Sequence, residues 1–333
     1  MKKFTKLALV SSLAISANAM AMQAMDDASL GATTGQDGLS IGIGISKIEI
    51  EKLFIHDNDG LGGTKDATTG IAPNAAAIVI KGNGTGVTAT KGIVIGANYD
   101  NGPAGEAGFY LLPTRNLADL VIDSDKGAGG GNTAYINIAA QVSGLDINIG
   151  EIGVTGSGTN TPATNIRRGG DDANYNAILS GLSVKTGKMT ANIQLGAAPQ
   201  GAMIKLNTTM VGGLEIKNLG ILDNSTKTGT GDGTVGNRKA GEIFVESIKV
   251  ADAGTKDLTL NQSISVIGEE DTSKGYVRII STSGAHDNYV KGIHLGSKTA
   301  ASIGDVEVQG MQTYFSPSAG VYTPGAIITI RGH

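Results

Sequence analysis

Apolar residues in this chain follow two spacings. The first is strict alternation: Leu39, Ile41, Ile43 and Ile45 are separated by Ser40, Gly42 and Gly44, with Ser46 following. This predicts a strand with one apolar face and very small residues on the other. The second appears in "GGLEIKNLGILDN" (212–224), where Leu214, Ile216, Leu219 and Ile221 step by two, three and two, and Asp223 follows two positions on. An amphipathic helix would need steps of three and four throughout.

The two-three-two spacing, ending in Asp or Gly, recurs four more times. It is carried by Ile48, Ile50, Leu53, Ile55 and Asp57, and by Ile147, Ile149, Ile152, Val154 and Gly156. Further on it is carried by Ile243, Val245, Ile248, Val250 and Asp252, and by Ala301, Ile303, Val306, Val308 and Gly310. A step of three keeps apolar side chains pointing inward only if the backbone bends there. Strand, corner, strand, turn predicts an all-β protein, expected as an irregular parallel β-helix or β-solenoid. An antiparallel β-sandwich with bulged strands produces the same spacing and is the alternative. The copies start 99, 67, 29 and 58 residues apart, so any coils vary in length. Asp57, Gly156, Asp223, Asp252 and Gly310 are expected at turns, where the carboxylates would accept from local backbone amides.

Composition agrees with a β protein of many tight corners. Glycine numbers 51 of 333 residues, about twice the usual ~7%. No G-X-Y period accompanies it, and recurrent Ile, Val and Leu exclude a disordered chain. Gly-rich tracts at 82–86, 127–131, 156–158 and 229–236 read as loops. There is no cysteine, which removes disulfides, thiol nucleophiles and cysteine metal sites. The net charge of −4 comes from 26 basic and 30 acidic residues without a basic run, so no nucleic-acid partner is expected.

Residues 1–21 predict a signal peptide. Lys2, Lys3 and Lys6 precede a short apolar run, and Ala17-Asn18-Ala19 offers a cleavage site, with cleavage expected after 19, 21 or 24. The apolar run is shorter than the roughly 20 residues a span needs, so no membrane span is expected in the mature chain. Residues 22–46 form an N-terminal segment in which Met22, Met25 and Leu30 suggest a short helix. The alternating strand after it is a candidate for exchange with a neighbouring subunit. Residues 47–333 are expected to form one elongated β domain.

The stretch "MDDASLGATTGQDGLSI", directly after the signal peptide, resembles the start of FilA-type exported proteins of Gram-negative bacteria. The likeness is sharp over residues 22–41 and continues as Gly-rich texture. It implies a surface-associated, all-β filament or pilus-system component and brings no catalytic residues with it.

Enzymatic motifs are missing. His56, His286, His294 and His333 form no metal-ligand pair in sequence. "HDNDGLGGTKD", from His56, lacks the later acids of an EF-hand and reads as a polar turn. Asp171-Asp172 and Glu269-Glu270-Asp271 are adjacent acids, a poor spacing for a hydrolytic dyad, and no tryptophan supplies a sugar platform. P-loop, dinucleotide and nucleophile-elbow spacings are absent. No cofactor, metal or catalytic residue is expected.

The expected function is therefore an exported structural protein of the cell surface, a filament or pilus-like subunit or an adhesin acting in attachment or biofilm. Its partners would be further copies of itself, other surface subunits, or a host or abiotic surface. Leu39, Ile41, Ile43 and Ile45 are the first candidate for the exchanged strand, and "GAIITIRGH" at the C-terminus the second. Alternatives are a monomeric surface or periplasmic module binding carbohydrate or matrix, and a polysaccharide-active β-helix enzyme.

Overall fold

Isoleucines far apart in sequence stand side by side in the computed structural model, which describes residues 38–159, 166–269 and 274–332. The chain divides into two compact units, Met1–Leu39 and Ser40–His333. Of the first only Gly38 and Leu39 are described, and the account below concerns the second. The expected signal peptide and short helix, with His333, Glu270 and Asp271, lie outside the described residues.

The chain alternates between two sheets. Strand β1 (Leu39–Ile43) joins the first sheet; β2 (Lys47–Ile50), β3 (Leu53–Asp57), β4 (Ala76–Lys81) and β5 (Ile93–Ala97) join the second. β6 (Ala118–Asp125) and β7 (Tyr135–Val142) return to the first, and β8 (Leu145–Ile149), β9 (Glu151–Ser157) and β10 (Gly170–Lys185) to the second. β11 (Met189–Gly196) and β12 (Ile204–Met210) are followed by β13 (Leu214–Asp223) and β14 (Gly241–Asp252), again in alternate sheets. β15 (Leu258–Gly268) and β16 (Gly275–Ser281) extend the first sheet, β17 (His286–Gly296) and β18 (Ser302–Met311) the second. β19 (Tyr314–Phe315) and β20 (Thr323–Pro324) form a small ladder before β21 (Ala326–Ile330) completes the first sheet.

Strand order within each sheet follows sequence order. The first runs β1-β6-β7-β11-β12-β15-β16-β21 and the main path of the second β2-β5-β8-β10-β13-β14-β17-β18. Neither closes on itself. The pairings are antiparallel, for example β2 with β5, β10 with β13 and β17 with β18. The protein is therefore all-β, but the parallel β-helix is incorrect; the arrangement fits the alternative of antiparallel sheets with bulged strands. A parallel ladder and an antiparallel one both align apolar residues at a period of two, so side-chain spacing alone does not separate them.

Aliphatic rows hold each sheet together. In the first, Ile122, Ile138, Ile193, Ile204, Ile264, Ile279 and Ile328 are paired strand to strand in one unbroken line. In the second, Ile48, Ile95, Ile147, Val184, Ile216, Ile248, Val290 and Val306 do the same. Adjacent strands lie about 4.8 Å apart, and a paired β-branched side chain contributes roughly 0.2–1 kcal/mol beyond alanine. The interior members of both rows are half-buried.

The step of three is a crease crossing the second sheet. Ile216 pairs with Ile248 and Leu219 with Val245, so the two residues between them on β13 face the two between them on β14. β14 meets β17 in the same way, through Ile248–Val290 and Val245–Ile293. At this level Asn218 has φ 56° and Gly292 has φ 65°, conformations that bend a strand and that Asn and Gly adopt at least cost. On the N-terminal side the crease becomes a break. β2 ends at Ile50 and β3 starts at Leu53; β8 ends at Ile149 and β9 starts at Glu151. Gly150 fills that gap because a Cβ would lie 2.2 Å from the Lys81 carbonyl oxygen. β10 spans the crease, pairing with β8 through Leu182–Lys185 and with β9 through Gly170–Leu179. The step of three thus coincides with a positive-φ residue or a strand break within antiparallel strands, not with the corner of a coil.

Candidate functional site

Two regions stand out: the open ends of the sheets, and a cleft beside the crease. At one end β1 and β2 are the edge strands, and at the other β21 and β18. The candidate exchange residues Leu39, Ile41 and Ile43 lie on β1, and Ile45 in the connection to β2. β1 is already paired with β6 of its own chain. The Leu117 amide, just before β6, donates to the Ile43 carbonyl at 2.9 Å, so the end of β1 lies at the start of β6. One backbone edge of β1 is used, and the other pairs with no strand among the described residues. The C-terminal candidate behaves alike: β21 pairs with β16 on one side.

Apolar residues remain open at these edges. Ile41 is 38% exposed and Ile48 36%, while Val306 is 45% and Ile328 52%. β1 and β21 carry no charged residue. β18 carries Asp305 and Glu307 with no cation; Lys47 on β2 and Lys52 just beyond it lie at the opposite end, with Glu49 and Glu51. Natural edge strands are normally blunted by charge, proline or covering loops.

The repeat-end residues do different things. Asp57 accepts from the Gly60 amide at 3.1 Å, Asp223 from the Ser225 amide at 3.1 Å, and Asp252 from the Thr259 amide at 3.0 Å. Gly310 lies inside β18 and not at a turn, and its amide donates to Asp287 Oδ1 at 2.8 Å. Gly156 is not at a turn. It lies inside β9, paired with Ala76 on one side and Asp171 on the other.

The residues considered for chemistry are dispersed and already engaged. Among the described residues no group of three or more His, Asp or Glu is placed to hold a metal ion. Asn58 accepts from Arg168 Nη1 at 2.7 Å, and Asp59 lies 3.4 Å from Lys65. Asp171 accepts from the Ala173 amide while Asp172 faces Lys52 at 3.3 Å, so the two acids diverge. His56 Nδ1 is 2.7 Å from Ser157 Oγ; burial, then Arg168, holds its pKa below the ordinary histidine value. His294 Nδ1 is 2.6 Å from the Ala300 carbonyl oxygen, and His286 lies 3.9 Å from Asp252.

The cleft beside the crease measures about 1280 Å³. β10, β13 and β14 form its floor, and the loops around residues 83–88, 226–241 and 296–299 its rim. Tyr175 donates to Glu151 Oε1 at 2.8 Å, with Lys81 Nζ 3.5 Å above its ring centroid. Burial, reinforced by Glu151, pushes the Tyr175 hydroxyl pKa far up. Ser180 donates to Glu242 Oε1 at 2.7 Å, and the Lys298 amide to Glu242 Oε2 at 3.2 Å. Lys227, Arg238, Lys239 and Lys298 complete the charged lining. No sequence motif marks this cleft, since its cations come from three stretches, at Lys81, Lys227–Lys239 and Lys298, and make no basic run.

The model of a family of unknown function, DUF6160, matches residues 1–108 of this chain. The described part of that match carries β1 to β5, including one of the two open ends. No curated protein and no solved structure matches the chain. No helix among the described residues is long and apolar enough to cross a membrane.

Proposed function

We propose that this protein is an exported structural subunit of the cell surface that assembles head to tail, the β18/β21 end of one copy pairing with the β1/β2 end of the next. The observation that carries this reading is that an aliphatic row runs from β2 to β18 in one sheet and from β6 to β21 in the other, that the end residues Ile48, Val306 and Ile328 are partly exposed, and that the edge strands β1 and β21 carry no charge. Stacked β proteins ordinarily need polar terminal units to stay apart.

Strand directions favour such a junction. From β2 to β18 the main path has eight strands joined by antiparallel pairings, so β2 and β18 point in opposite directions. A translated second copy would therefore place its β2 antiparallel to β18. The first sheet also has eight strands; β6 to β21 are joined by antiparallel pairings and the end of β1 lies at the start of β6, so β21 and β1 stand in the same relation. Val306 would then continue its row into the next copy's Ile48, and Ile328 would meet the apolar face of β1. Such a contact is heterologous and does not close, so it propagates as a filament.

The signal-peptide pattern of residues 1–21 and the resemblance over residues 22–41 support export and surface assembly. The experiment is polymerisation of the purified mature chain, followed by light scattering and negative-stain microscopy. Filaments that disappear in an edge variant of either end support the reading, and a concentration-independent monomer opposes it.

A further inference from the structure

We propose that the cleft beside the crease binds a stretch of acidic polysaccharide. Its lining has five cations, Lys81, Lys227, Arg238, Lys239 and Lys298, against two acids, Glu151 and Glu242. That is a surplus of three positive charges in a chain whose net charge is −4. A concave, cationic surface on an otherwise acidic protein concentrates field on anionic ligands.

Both acids are already engaged. Glu151 accepts from Tyr175 and lies 3.7 Å from Lys81, and Glu242 accepts from Ser180 and the Lys298 amide. The ammonium groups of Lys227, Lys239 and Lys298 meet no carboxylate among the described residues. Arg238 uses Nε on the Thr226 carbonyl at 2.7 Å, and its amide donates to Thr228 Oγ1 at 2.8 Å. Its backbone is thus fixed while the remaining guanidinium donors stay available, and a planar donor fork suits a carboxylate.

The neutral lining selects a sugar polymer over a nucleic acid. Asn218 and Ser183 bring an amide and a hydroxyl to the cleft, and Asn148 and Asn224, whose Nδ2 groups donate to Asp146 and Asn176, add amide oxygens, the kind of partner that sugar hydroxyls require. Single-stranded nucleic acid is held largely by bases stacking on open aromatic faces. Here Lys81 covers the Tyr175 ring, and Phe244 packs against His294 with ring centroids 5.8 Å apart. At about 1280 Å³ the cleft exceeds the range of roughly 300–1,000 Å³ usual for small-molecule sites, which suits a chain segment.

The test is equilibrium binding of the full mature chain, held at subunit concentrations below assembly, to a fluorescent polyuronate, with neutral dextran and charge-matched single-stranded DNA as competitors. The wild type is expected to bind the polyuronate, to release it as salt rises, and to be displaced poorly by either competitor. The quadruple variant Lys227→Gln, Arg238→Gln, Lys239→Gln, Lys298→Gln is expected to bind at least tenfold more weakly. A control losing four positive charges elsewhere (Lys47→Gln, Lys126→Gln, Lys205→Gln, Lys256→Gln) should stay within about twofold of wild type. If the quadruple variant does not fold, Arg238→Glu and Lys298→Glu tested singly should each weaken binding at least threefold. No polyuronate binding by the wild type, equal loss in the control, or stronger binding of the DNA would overturn the proposal. Because binding is read on unassembled subunits, its failure is separate from any failure of head-to-tail assembly.

Discussion

Val290 of β17 and Val306 of β18 are directly paired, and Val306 is the last residue of an aliphatic row that starts at Ile48. No strand described in this chain pairs with the far side of β18. A side chain that has a neighbour on each side in the middle of the row has one on a single side here. The balance between fold stability and assembly follows from that difference.

Within the rows, position should decide the cost of truncation. Ile204 is half-buried between Ile193 and Ile264, whereas Ile328 is half exposed at an edge. Ile204→Ala is expected to lower unfolding free energy by about 2–3 kcal/mol, the lower part of the range for buried aliphatic truncations. Ile328→Ala should cost less than about 1 kcal/mol in the isolated subunit. Urea denaturation of the two variants measures the difference, and equal losses would contradict the row as the stabilising unit.

Gly292 should tolerate a side chain poorly. Its φ is +65°, and a Cβ would lie 2.4 Å from the Glu246 side chain. Gly236 has φ +85° but open space around it. Gly292→Val is therefore expected to destabilise by more than Gly236→Val, since besides backbone strain of order 1–3 kcal/mol it forces the Glu246 side chain away from Lys291 and His294. Thermal melts of the pair would show whether the crease needs this residue.

His56 predicts a mild acid sensitivity. Burial, and then Arg168, disfavours its charged form in the folded state. As pH falls the unfolded chain takes up this proton first, so the folded state is favoured in full above about pH 6.5 and progressively less below it. Between pH 7.5 and 5.0 the melting temperature should fall further for the wild type than for His56→Gln. Parallel curves would remove His56 as the cause.

Much of the second sheet was legible in sequence. The five two-three-two segments place residues of β2–β3, β8–β9, β13, β14 and β18 in one sheet, and the step of three marks its crease. Two further strands of this sheet carry the spacing in altered form. β10 carries the spacing as Ala177, Leu179, Leu182 and Val184 but has Thr186 where Asp or Gly was required, and β17 starts it with the polar Asn288. The uneven separations follow from the chain's excursions to the other sheet: β13 and β14 form a hairpin, while β15 and β16 intervene before β18. Strand direction was not legible, since antiparallel and parallel rows demand the same alternation. Nor was the cleft, because Lys81 and Lys298 come together only through the fold.

The central claim is that the two ends pair with each other, and one mixing experiment tests it most directly. Ile328→Lys places a charge on β21, and Ile41→Lys places one on β1. Each variant keeps one intact end, so the account predicts that neither polymerises alone, that each caps growing wild-type filaments, and that an equimolar mixture gives heterodimers by analytical ultracentrifugation. If both variants assemble as the wild type does, or if the mixture stays monomeric while the wild type forms filaments, the ends do not pair in this way.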